Sequence, residues 1–246
     1  MIASLTFLLV IVVLGAPVAL TLLPWAAITG NVNPLYNASV GIVRAAMWAA
    51  RIRVEVTGRE RVPTGTACIF MSNHVSNLDP PALIPQIPGR TAAFVKRSLT
   101  KIPVFGYGLR MGEFVPVDRD GRVESAQESV AAARRVLEKG IHITTFVEGT
   151  RSPDGRLLPF KKGPFYLAME TGQPVVPISI WGTESMMKKG SLSIRPGMAH
   201  ITFHTPLWPR DYATREELMA AVRESIASGL PEWMRGSDSE ESAATA

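Results

Sequence analysis

The stretch Asn73-His74-Val75-Ser76-Asn77-Leu78-Asp79 lies between a short apolar run and a pair of prolines. The run before it, residues 67–71, reads Ala-Cys-Ile-Phe-Met and is short enough to be a buried strand. Pro80 and Pro81, which follow it, are typical of the first turn of a helix. The stretch therefore predicts a turn from a strand into a helix, which is where parallel sheets usually hold their functional residues.

Two side chains in this turn, His74 and Asp79, form a candidate acid-base pair. A tight turn over their spacing folds the carboxylate back onto the imidazole, where it fixes the tautomer and makes the other ring nitrogen a better base. Such a pair can take a proton from a hydroxyl group. On these residues alone a second interpretation stays open, in which Asp79 or Asn77 caps the helix and His74 is a surface histidine.

Composition and charge limit the kinds of partner. The length of 246 residues suggests one domain of ordinary size plus an extra segment. A net charge of +5 favours an anionic partner, such as a membrane surface, a phosphate or a nucleic acid. The aromatic residues are not interleaved with basic ones as a base-stacking surface requires, so we expect no nucleic acid. The single cysteine, Cys68, lies in an apolar run and is expected to be a buried thiol.

Residues 1–51 are predicted to form membrane-associated helices. Residues 2–27 are almost all apolar, and no charged residue occurs before Arg44. A bilayer span needs about 20 such residues, and a signal peptide fits poorly because no basic residue precedes this long run. A second helix over residues 35–51 is expected to lie in or against the interface, with Trp48 at headgroup depth. The pair either spans the bilayer or dips into one leaflet.

The position of the arginines predicts the side of the membrane. The first arginine, Arg44, and those that follow it at residues 51, 53, 59 and 61 come directly after the apolar segment. Basic residues flanking a membrane segment favour the cytoplasmic side. We therefore expect the protein at the cell membrane, with its catalytic domain on the cytoplasmic side.

Residues 52–234 alternate strand-like and helix-like patterns. This alternation predicts an α/β domain with a mixed, partly parallel sheet flanked by helices. Pro177 lies in one predicted strand and indicates an edge or a bulge there. The tail, residues 235–246, is small, polar and acidic, and is predicted to be disordered. The predicted strands are 52–56, 67–72, 91–96, 113–117, 141–147, 175–181, 191–195 and 200–203, and the predicted helices are 124–139, 164–171 and 214–228.

Two further predicted strands are followed by residues that suit an anion. Arg119 follows strand 113–117, and its planar fork can bind a phosphate. Glu148-Gly149-Thr150-Arg151 follows strand 141–147, and its backbone N–H groups and guanidinium also suit an anion. Taken singly, each has a plainer interpretation, as a solvated arginine beside an aspartate or as an ordinary turn with Arg151 in water.

Taken together and in order, these motifs resemble the glycerolipid acyltransferase family. The resemblance covers most of residues 67–180, and its one mild departure is Val147, which stands where the family has a proline. This departure is expected to affect the stiffness of the loop more than the type of reaction. The matching positions are Asn73, His74, Ser76 and Asp79 for N-H-x-S-x-x-D, Gly112 and Arg119 for the second motif, Phe146 with residues 148–152 for F-P-E-G-T-R-S, and residues 175–180 for an apolar strand with a central proline.

The resemblance implies transfer of a fatty acyl group from a thioester to the sn-2 hydroxyl of lysophosphatidic acid (1-acyl-glycerol-3-phosphate), which gives phosphatidic acid. It implies that His74 is the general base and that Asp79 orients it. It also implies that the co-substrate is acyl-CoA or an acyl carrier protein thioester and that no cofactor is needed. No metal is expected, because the other histidines show no ligand spacing with His74, and the N-terminal helices make the lipid bilayer an expected partner. The residues implied to hold the glycerophosphate are Arg119, Glu148, Gly149, Thr150 and Arg151, with Lys96 and Lys161 adding positive charge.

Two other functional classes stay open from the sequence. A hydrolase or transacylase would use the same pair, His74 and Asp79, with water or another lipid as the acceptor. A non-catalytic binder of anionic lipid would use the basic residues and the membrane helices, but it would need neither the histidine nor the aspartate. The sequence leaves the choice of acyl donor, the chain length and the lysophospholipid acceptor undetermined.

Overall fold

The computed structural model describes residues 2–117 and 123–236 and contains a single seven-stranded sheet in this part of the chain. Eight α-helices accompany the strands within the described residues, together with short 3-10 turns. The strands are β1 (Ile52–Thr57), β2 (Ile69–Ser72), β3 (Thr91–Lys96), β4 (Val115–Val117), β5 (His142–Phe146), β6 (Val175–Trp181) and β7 (Gly197–Phe203). The helices are α1 (Ile2–Thr29), α2 (Asn33–Ala49), α3 (Asp79–Leu83), α4 (Phe105–Met111), α5 (Val123–Glu138), α6 (Gly163–Thr171), α7 (Thr183–Met186) and α8 (Arg215–Ser228).

The strand order across the sheet is β1-β7-β6-β2-β5-β3-β4. Five neighbouring pairs are parallel, and only β6 and β7 pair antiparallel among the described strands. The predicted mixed, partly parallel sheet flanked by helices is therefore confirmed. Because β2 to β6 all run in the same direction, their carboxyl ends lie along one edge of the sheet, which we call the carboxyl edge.

Helices cover both faces of the sheet, and the sequence of β2 shows why. All four residues of this strand are buried, and successive side chains of a strand point to opposite faces. Ile69 and Met71 pack into a core with side chains of α5, α6 and α8. Phe70 packs into a second core with α2, α3 and β7. A strand buried on both faces has an apolar run instead of an alternating pattern.

Helices α1 and α2 pack against each other, and α2 is fixed to the sheet domain. The Tyr36 hydroxyl accepts a hydrogen bond from the Thr91 backbone N–H at 3.2 Å, and the Arg44 guanidinium donates to the Pro85 carbonyl. Within the described residues, α1 is the one helix long and apolar enough to cross a bilayer, judged by length and composition. Both helices were expected from the sequence.

The predicted strand at residues 191–195 is wrong. These residues are irregular, and β7 begins only at Gly197. The alternation of Ser191-Leu192-Ser193-Ile194 suggested a strand, but the segment has no neighbouring strand to pair with. The Ile194 backbone N–H instead donates to the Ser4 hydroxyl of α1 at 2.8 Å.

Pro177 does not lie at an edge, because β6 lies between β7 and β2, but the other predicted feature, a bulge, is present. Ile178 pairs with Phe203, whereas Val175 pairs with Leu207, so the partner segment has one extra residue opposite residues 176–177. The sheet tolerates this proline because of its position at the end of one ladder. The Pro177 carbonyl faces β7 and accepts from the His204 backbone N–H at 2.9 Å. Since the β6–β7 pairing begins only at Ile178 and Phe203, the proline nitrogen faces the point where β7 has already ended, and little pairing is lost.

Candidate active site

His74 and Asp79 meet in the turn between β2 and α3. The His74 Nδ1 lies 2.7 Å from the Asp79 Oδ2. The aspartate side chain is fully buried, and the histidine side chain is 17% exposed. The contact expected from the turn is therefore present, and it leaves Nε2 as the ring nitrogen that can exchange a proton with a substrate.

Asp79 is held by the backbone of its own turn. Its Oδ2 accepts from the backbone N–H groups of Val75 at 2.7 Å and Ser76 at 2.8 Å. Its other oxygen, Oδ1, accepts from the Thr183 hydroxyl of α7 at 2.5 Å. Hydrogen bonds from donors to a carboxylate are stronger than those between neutral groups. They hold the aspartate in one position against the imidazole.

The other motif residues of this turn attach it to the rest of the fold. The Asn73 side chain bonds both the N–H and the carbonyl of Ile180 at 2.8 Å, and so continues the β2–β6 ladder by one residue. The Ser76 hydroxyl donates to the Met187 carbonyl at 2.7 Å. The amide and hydroxyl thus fix the turn to β6 and to the segment after α7, and neither of the two side chains is exposed to a substrate.

The imidazole of His74 also stacks on Phe146, the last residue of β5. The ring centroids are 4.1 Å apart and the planes differ by 22°. This contact restricts rotation of the imidazole, which already has one nitrogen fixed by Asp79. The sequence placed Phe146 in a motif but assigned no function to it, and only the pairing of β2 with β5 brings it under the histidine.

The second turn follows β5 and contains Glu148, whose side chain points inward. Its carboxylate is 1% exposed. One oxygen accepts from the His74 backbone N–H at 2.8 Å and the other from the Leu158 backbone N–H at 3.1 Å. Burial raises the pKa of Glu148 to about 8. Glu148 therefore connects the histidine turn to Leu158, in the segment that follows the second turn. Any contribution of Glu148 to substrate binding is indirect and acts through the position of that loop.

The residues after Glu148 form an open part of the same turn. Gly149 has φ +68°, and a Cβ there would lie 3.0 Å from the Lys161 side chain. Thr150 is exposed and Arg151 is partly buried. The Arg151 Nη1 is buried and has no hydrogen-bond partner among the described residues. An arginine nitrogen in that state is a ready donor for an anion.

Two contacts fix the position of Arg151. The neighbouring Ser152 backbone N–H donates to the His74 carbonyl at 2.8 Å, which joins the two turns directly. The Lys189 ammonium donates to the Arg151 carbonyl at 2.8 Å. Lys189 was not recognised from the sequence, since it lies in a turn just before residues 191–195 and belongs to none of the motifs.

Two of the remaining predicted residues, Lys96 and Lys161, lie at or beside the carboxyl edge. Lys96 is the last residue of β3 and is exposed. The Lys161 side chain is also exposed, and its backbone N–H donates to the Val147 carbonyl at 2.7 Å. Arg119 lies outside the described residues. The structure therefore brings the groups around His74 and Arg151 together, and their roles stay predictions.

Two further features were missed from the sequence, one at this site and one in α4. Thr183, which donates to Asp79, lies 104 positions away in the chain, and no local pattern points to it. Gly106 was also missed, although a Cβ there would lie 2.3 Å from the Thr100 carbonyl oxygen. The sequence analysis singled out Gly112, where the closest contact would be 3.0 Å from a Phe114 ring atom, so the backbone approach is closer at Gly106.

An apolar cavity of about 900 Å³ lies beside the histidine turn. It is bounded by the start of α1, by the turn and the start of α3, and by the segment after α7. The residues that line it include Leu5, Leu8, Asn77, Leu78, Pro81, Met187 and Ile194. A predominantly apolar cavity next to a polar reacting pair suits a ligand with a long hydrocarbon part.

The fold and this pair of turns define an acyltransferase of the α/β class. A family model described as Acyltransferase matches residues 53–181, which contain both turns and six of the seven strands. The chain belongs to this family and is an enzyme of the acyltransferase class, as the motifs had implied.

Relatives and a solved structure resemble the chain over most of its length. A 1-acyl-sn-glycerol-3-phosphate acyltransferase of Limnanthes alba is 30% identical over 212 residues, which are 85% of this chain and 74% of the relative. The protein of the same name in Borreliella burgdorferi is 31% identical over 191 residues, 76% of each chain. The 1-acyl-sn-glycerophosphate (LPA) acyltransferase PlsC of Thermotoga maritima superposes with a TM-score of 0.77 at 29% identity, covering 92% of both chains.

Proposed function

We infer that the protein transfers a fatty acyl group from an acyl thioester to the sn-2 hydroxyl of 1-acyl-glycerol-3-phosphate, giving phosphatidic acid for phospholipid synthesis. The observation that carries this inference is the 2.7 Å contact between His74 and Asp79 within the family's first motif. Relatives named for this activity span most of the chain in both plants and bacteria, and their names supply the acceptor.

The histidine turn provides the acid-base chemistry. Nε2 of His74 removes the proton from the sn-2 hydroxyl as its oxygen attacks the thioester carbonyl carbon. Asp79 accepts the Nδ1–H and stabilises the imidazolium that forms. When the carbon–sulfur bond breaks, the thiolate takes the proton from Nε2, and the imidazole is neutral again. This direct transfer needs no covalent acyl-enzyme, and no serine or cysteine was recognised in a nucleophile turn.

The second turn provides the site for the acceptor phosphate. The Arg151 guanidinium has a buried nitrogen without a partner among the described residues, and it lies on a loop bonded to the histidine turn. Lys96 and Lys161 add positive charge at the same edge, and Arg119 follows β4 there in the sequence. Thr150 contributes its backbone N–H group, whereas the Gly149 N–H is bonded within the turn to the Phe146 carbonyl at 3.0 Å. The phosphate is thereby held beside His74. This position selects a hydroxyl of the same glycerol, close to the phosphate, for deprotonation.

The membrane proposal concerns the organisation of the chain. Residues 1–51 anchor the enzyme in the bilayer, residues 52–234 form the catalytic domain, and residues 235–246 are an acidic tail. Because α2 is bonded to the domain through Tyr36 and Arg44, an anchored helix pair fixes the orientation of the carboxyl edge. Arg44 and the arginines that follow it favour the cytoplasmic side of the cell membrane for the domain, and the apolar cavity beside the turn accepts an acyl chain.

An acceptor panel tests this function. The full chain, reconstituted in vesicles, receives one labelled acyl thioester and, in turn, lysophosphatidic acid, lysophosphatidylcholine, monoacylglycerol or no acceptor. Supplying the thioester on CoA or on acyl carrier protein compares the two donors. We expect a product with the mass of phosphatidic acid from lysophosphatidic acid alone. Equal rates with uncharged monoacylglycerol would contradict the phosphate site, and labelled free fatty acid without an acceptor would indicate a hydrolase.

A further inference from the structure

The segment from Arg97 to Met111 carries an exposed apolar patch outside the two turns. It consists of a 3-10 turn (Arg97–Lys101) followed by α4. We call its exposed apolar side chains the α4 patch, and their exposed fractions range from 37% to 59%. They are Leu99, Ile102, Val104, Phe105 and Tyr107. Single exposed apolar residues are ordinary, but a contiguous group indicates an interaction surface.

The backbone holds these side chains outward. The Gly106 N–H donates to the Ile102 carbonyl at 2.7 Å, and the close approach of Gly106 to Thr100 leaves no room for a Cβ. The Arg110 guanidinium donates to the Thr100 carbonyl at 2.6 Å. Val104 has φ +63°, a conformation that costs free energy in a β-branched residue. A backbone packed this closely presents the patch as a fixed surface.

The patch is continuous with the membrane helix. Gly108 of α4 lies beside Leu23 of α1, whose side chain would be 3.9 Å from a Cβ at that glycine. This half of α1 also exposes Leu20, Trp25 and Ile28. The apolar surface of the anchor therefore continues onto the catalytic domain at α4.

The charge of this region suits an anionic surface. No acidic residue occurs between Asp79 and Glu113, whereas this interval contains five basic residues. Three of them, Arg97, Lys101 and Arg110, lie within the segment that carries the patch, and the Arg110 guanidinium lies 5.7 Å from the centre of the Tyr107 ring. Apolar and aromatic side chains flanked by basic ones are the composition of a surface that binds anionic lipid headgroups.

We propose that the α4 patch inserts into the headgroup and acyl boundary of an anionic bilayer, as a second membrane contact in addition to α1. The segment begins directly after Lys96 at the end of β3, so its docking brings the carboxyl edge to the lipid surface. This inference deepens the proposed function, because it explains how a base on the sheet meets an acceptor in the bilayer. Insertion of the α4 patch does not depend on acyl transfer, so it can be measured in the absence of catalysis.

A measurement of how deeply a label on the α4 patch enters the bilayer tests the proposal. Phe105→Cys in the full chain is labelled with the fluorophore NBD and reconstituted in phosphatidylcholine vesicles containing phosphatidylglycerol. The native Cys68 is buried, and burial raises the pKa of its thiol to about 11, so the label goes to the introduced cysteine. Tyr166→Cys is the matched control, since Tyr166 is an aromatic residue 57% exposed on α6, on the other face of the sheet.

We expect lipids with a doxyl group near the top of the acyl chain to quench the label at position 105 at least threefold more than the label at position 166. Equal quenching at the two positions would overturn the proposal. So would a label at position 105 that ignores the quencher lipids but responds to acyl carrier protein, because the patch would then bind an acidic protein. Circular dichroism of both labelled proteins checks that they are folded.

A second variant separates docking from chemistry. In Phe105→Ser the patch loses its large aromatic ring, while His74 and Arg151 are unchanged. We expect transfer to lysophosphatidic acid in vesicles to fall several-fold, with little change for a short-chain acceptor dissolved in detergent. An equal loss with both acceptors would contradict the docking role. If no transfer occurs in either protein, the proposed function fails, whereas the depth measurement still decides whether the patch inserts.

Discussion

The two turns at the carboxyl edge each contain a buried carboxylate, but the two carboxylates are held in different ways. Asp79 accepts from two backbone N–H groups and from the Thr183 hydroxyl, and it contacts the His74 ring. Glu148 accepts from only two backbone N–H groups, and burial raises its pKa to about 8. The first carboxylate is arranged to act on an imidazole, and the second to join two segments of backbone.

This difference shows that a charged residue at a strand end is not by itself a ligand for substrate. Both residues follow neighbouring parallel strands, and both belong to family motifs. Asp79 reaches the reacting group directly, whereas Glu148 acts on the backbone N–H of that same histidine. The side chain of the second turn that can bind an anion is instead that of Arg151, whose Nη1 has no hydrogen-bond partner among the described residues. Four substitutions test how far the two turns differ.

The largest effect is expected for His74→Ala. Loss of the base should lower the rate of acyl transfer by roughly 10²–10⁴-fold, while the backbone N–H of residue 74 still bonds Glu148. The measurement is the transfer rate to lysophosphatidic acid at saturating thioester, with His200→Ala as the control for a partly exposed histidine outside the two turns. A rate within tenfold of the unchanged protein would remove His74 as the base.

A smaller loss is expected for Asp79→Asn, about 10²-fold in the transfer rate, since the amide has no charge to stabilise an imidazolium. Asparagine nearly preserves the volume, so the turn is expected to fold. The matched change at the other turn is Glu148→Gln, which should lower the rate much less. Equal losses for the two variants would contradict the division of roles between the carboxylates.

Thr183→Val removes the hydroxyl that donates to Asp79 and keeps the shape of the side chain. A hydrogen bond to a charged group contributes about 1.5–3 kcal/mol, so we expect roughly a 10-fold fall in kcat, with KM for the acceptor unchanged. Thr183→Ser restores the donor and should restore the rate. If the valine and serine variants are equally impaired, Thr183 acts through packing and not through its hydroxyl.

The last effect is expected in stability and not in rate, and it concerns the second turn. The pKa of Glu148, about 8, lies above the ordinary value of 4.5, so the folded protein holds this proton more tightly than the unfolded chain. The free energy of unfolding should therefore fall as pH rises from about 4.5 to about 8, with a slope of up to roughly 1.4 kcal/mol per pH unit.

Glu148→Gln should remove this slope, because the amide does not titrate. The measurement is denaturant unfolding at a series of pH values, with Glu224→Gln on the exposed surface of α8 as the control. A pH dependence that is the same in Glu148→Gln and in the unchanged protein would show that Glu148 is ionised in the fold throughout this range.

Much of the fold was predictable because its signals are local. The apolar run of β2 and the helical spacing of α5 can be recognised from residues close together in the sequence. The same holds for the capping residues Thr214 and Glu217 of α8, whose hydrogen bond is present at 3.2 Å. The predictions failed where the context is not local. Residues 191–195 alternate like a strand but pair with none of the described strands, and Pro177 lies inside the sheet and not at its edge, opposite the bulge where β7 ends.

The sequence by itself determined the order of the motifs, the uncharged first helix and the contact of His74 with Asp79, because each depends on residues close together in the chain. Only the tertiary structure decided that Thr183 supports Asp79, that Glu148 faces inward and that the α4 patch adjoins α1. Those facts depend on which strands become neighbours and on which groups are removed from water. Both are set by the packing of the whole chain, in which distant segments compete to bury apolar surface and to pair every buried polar group.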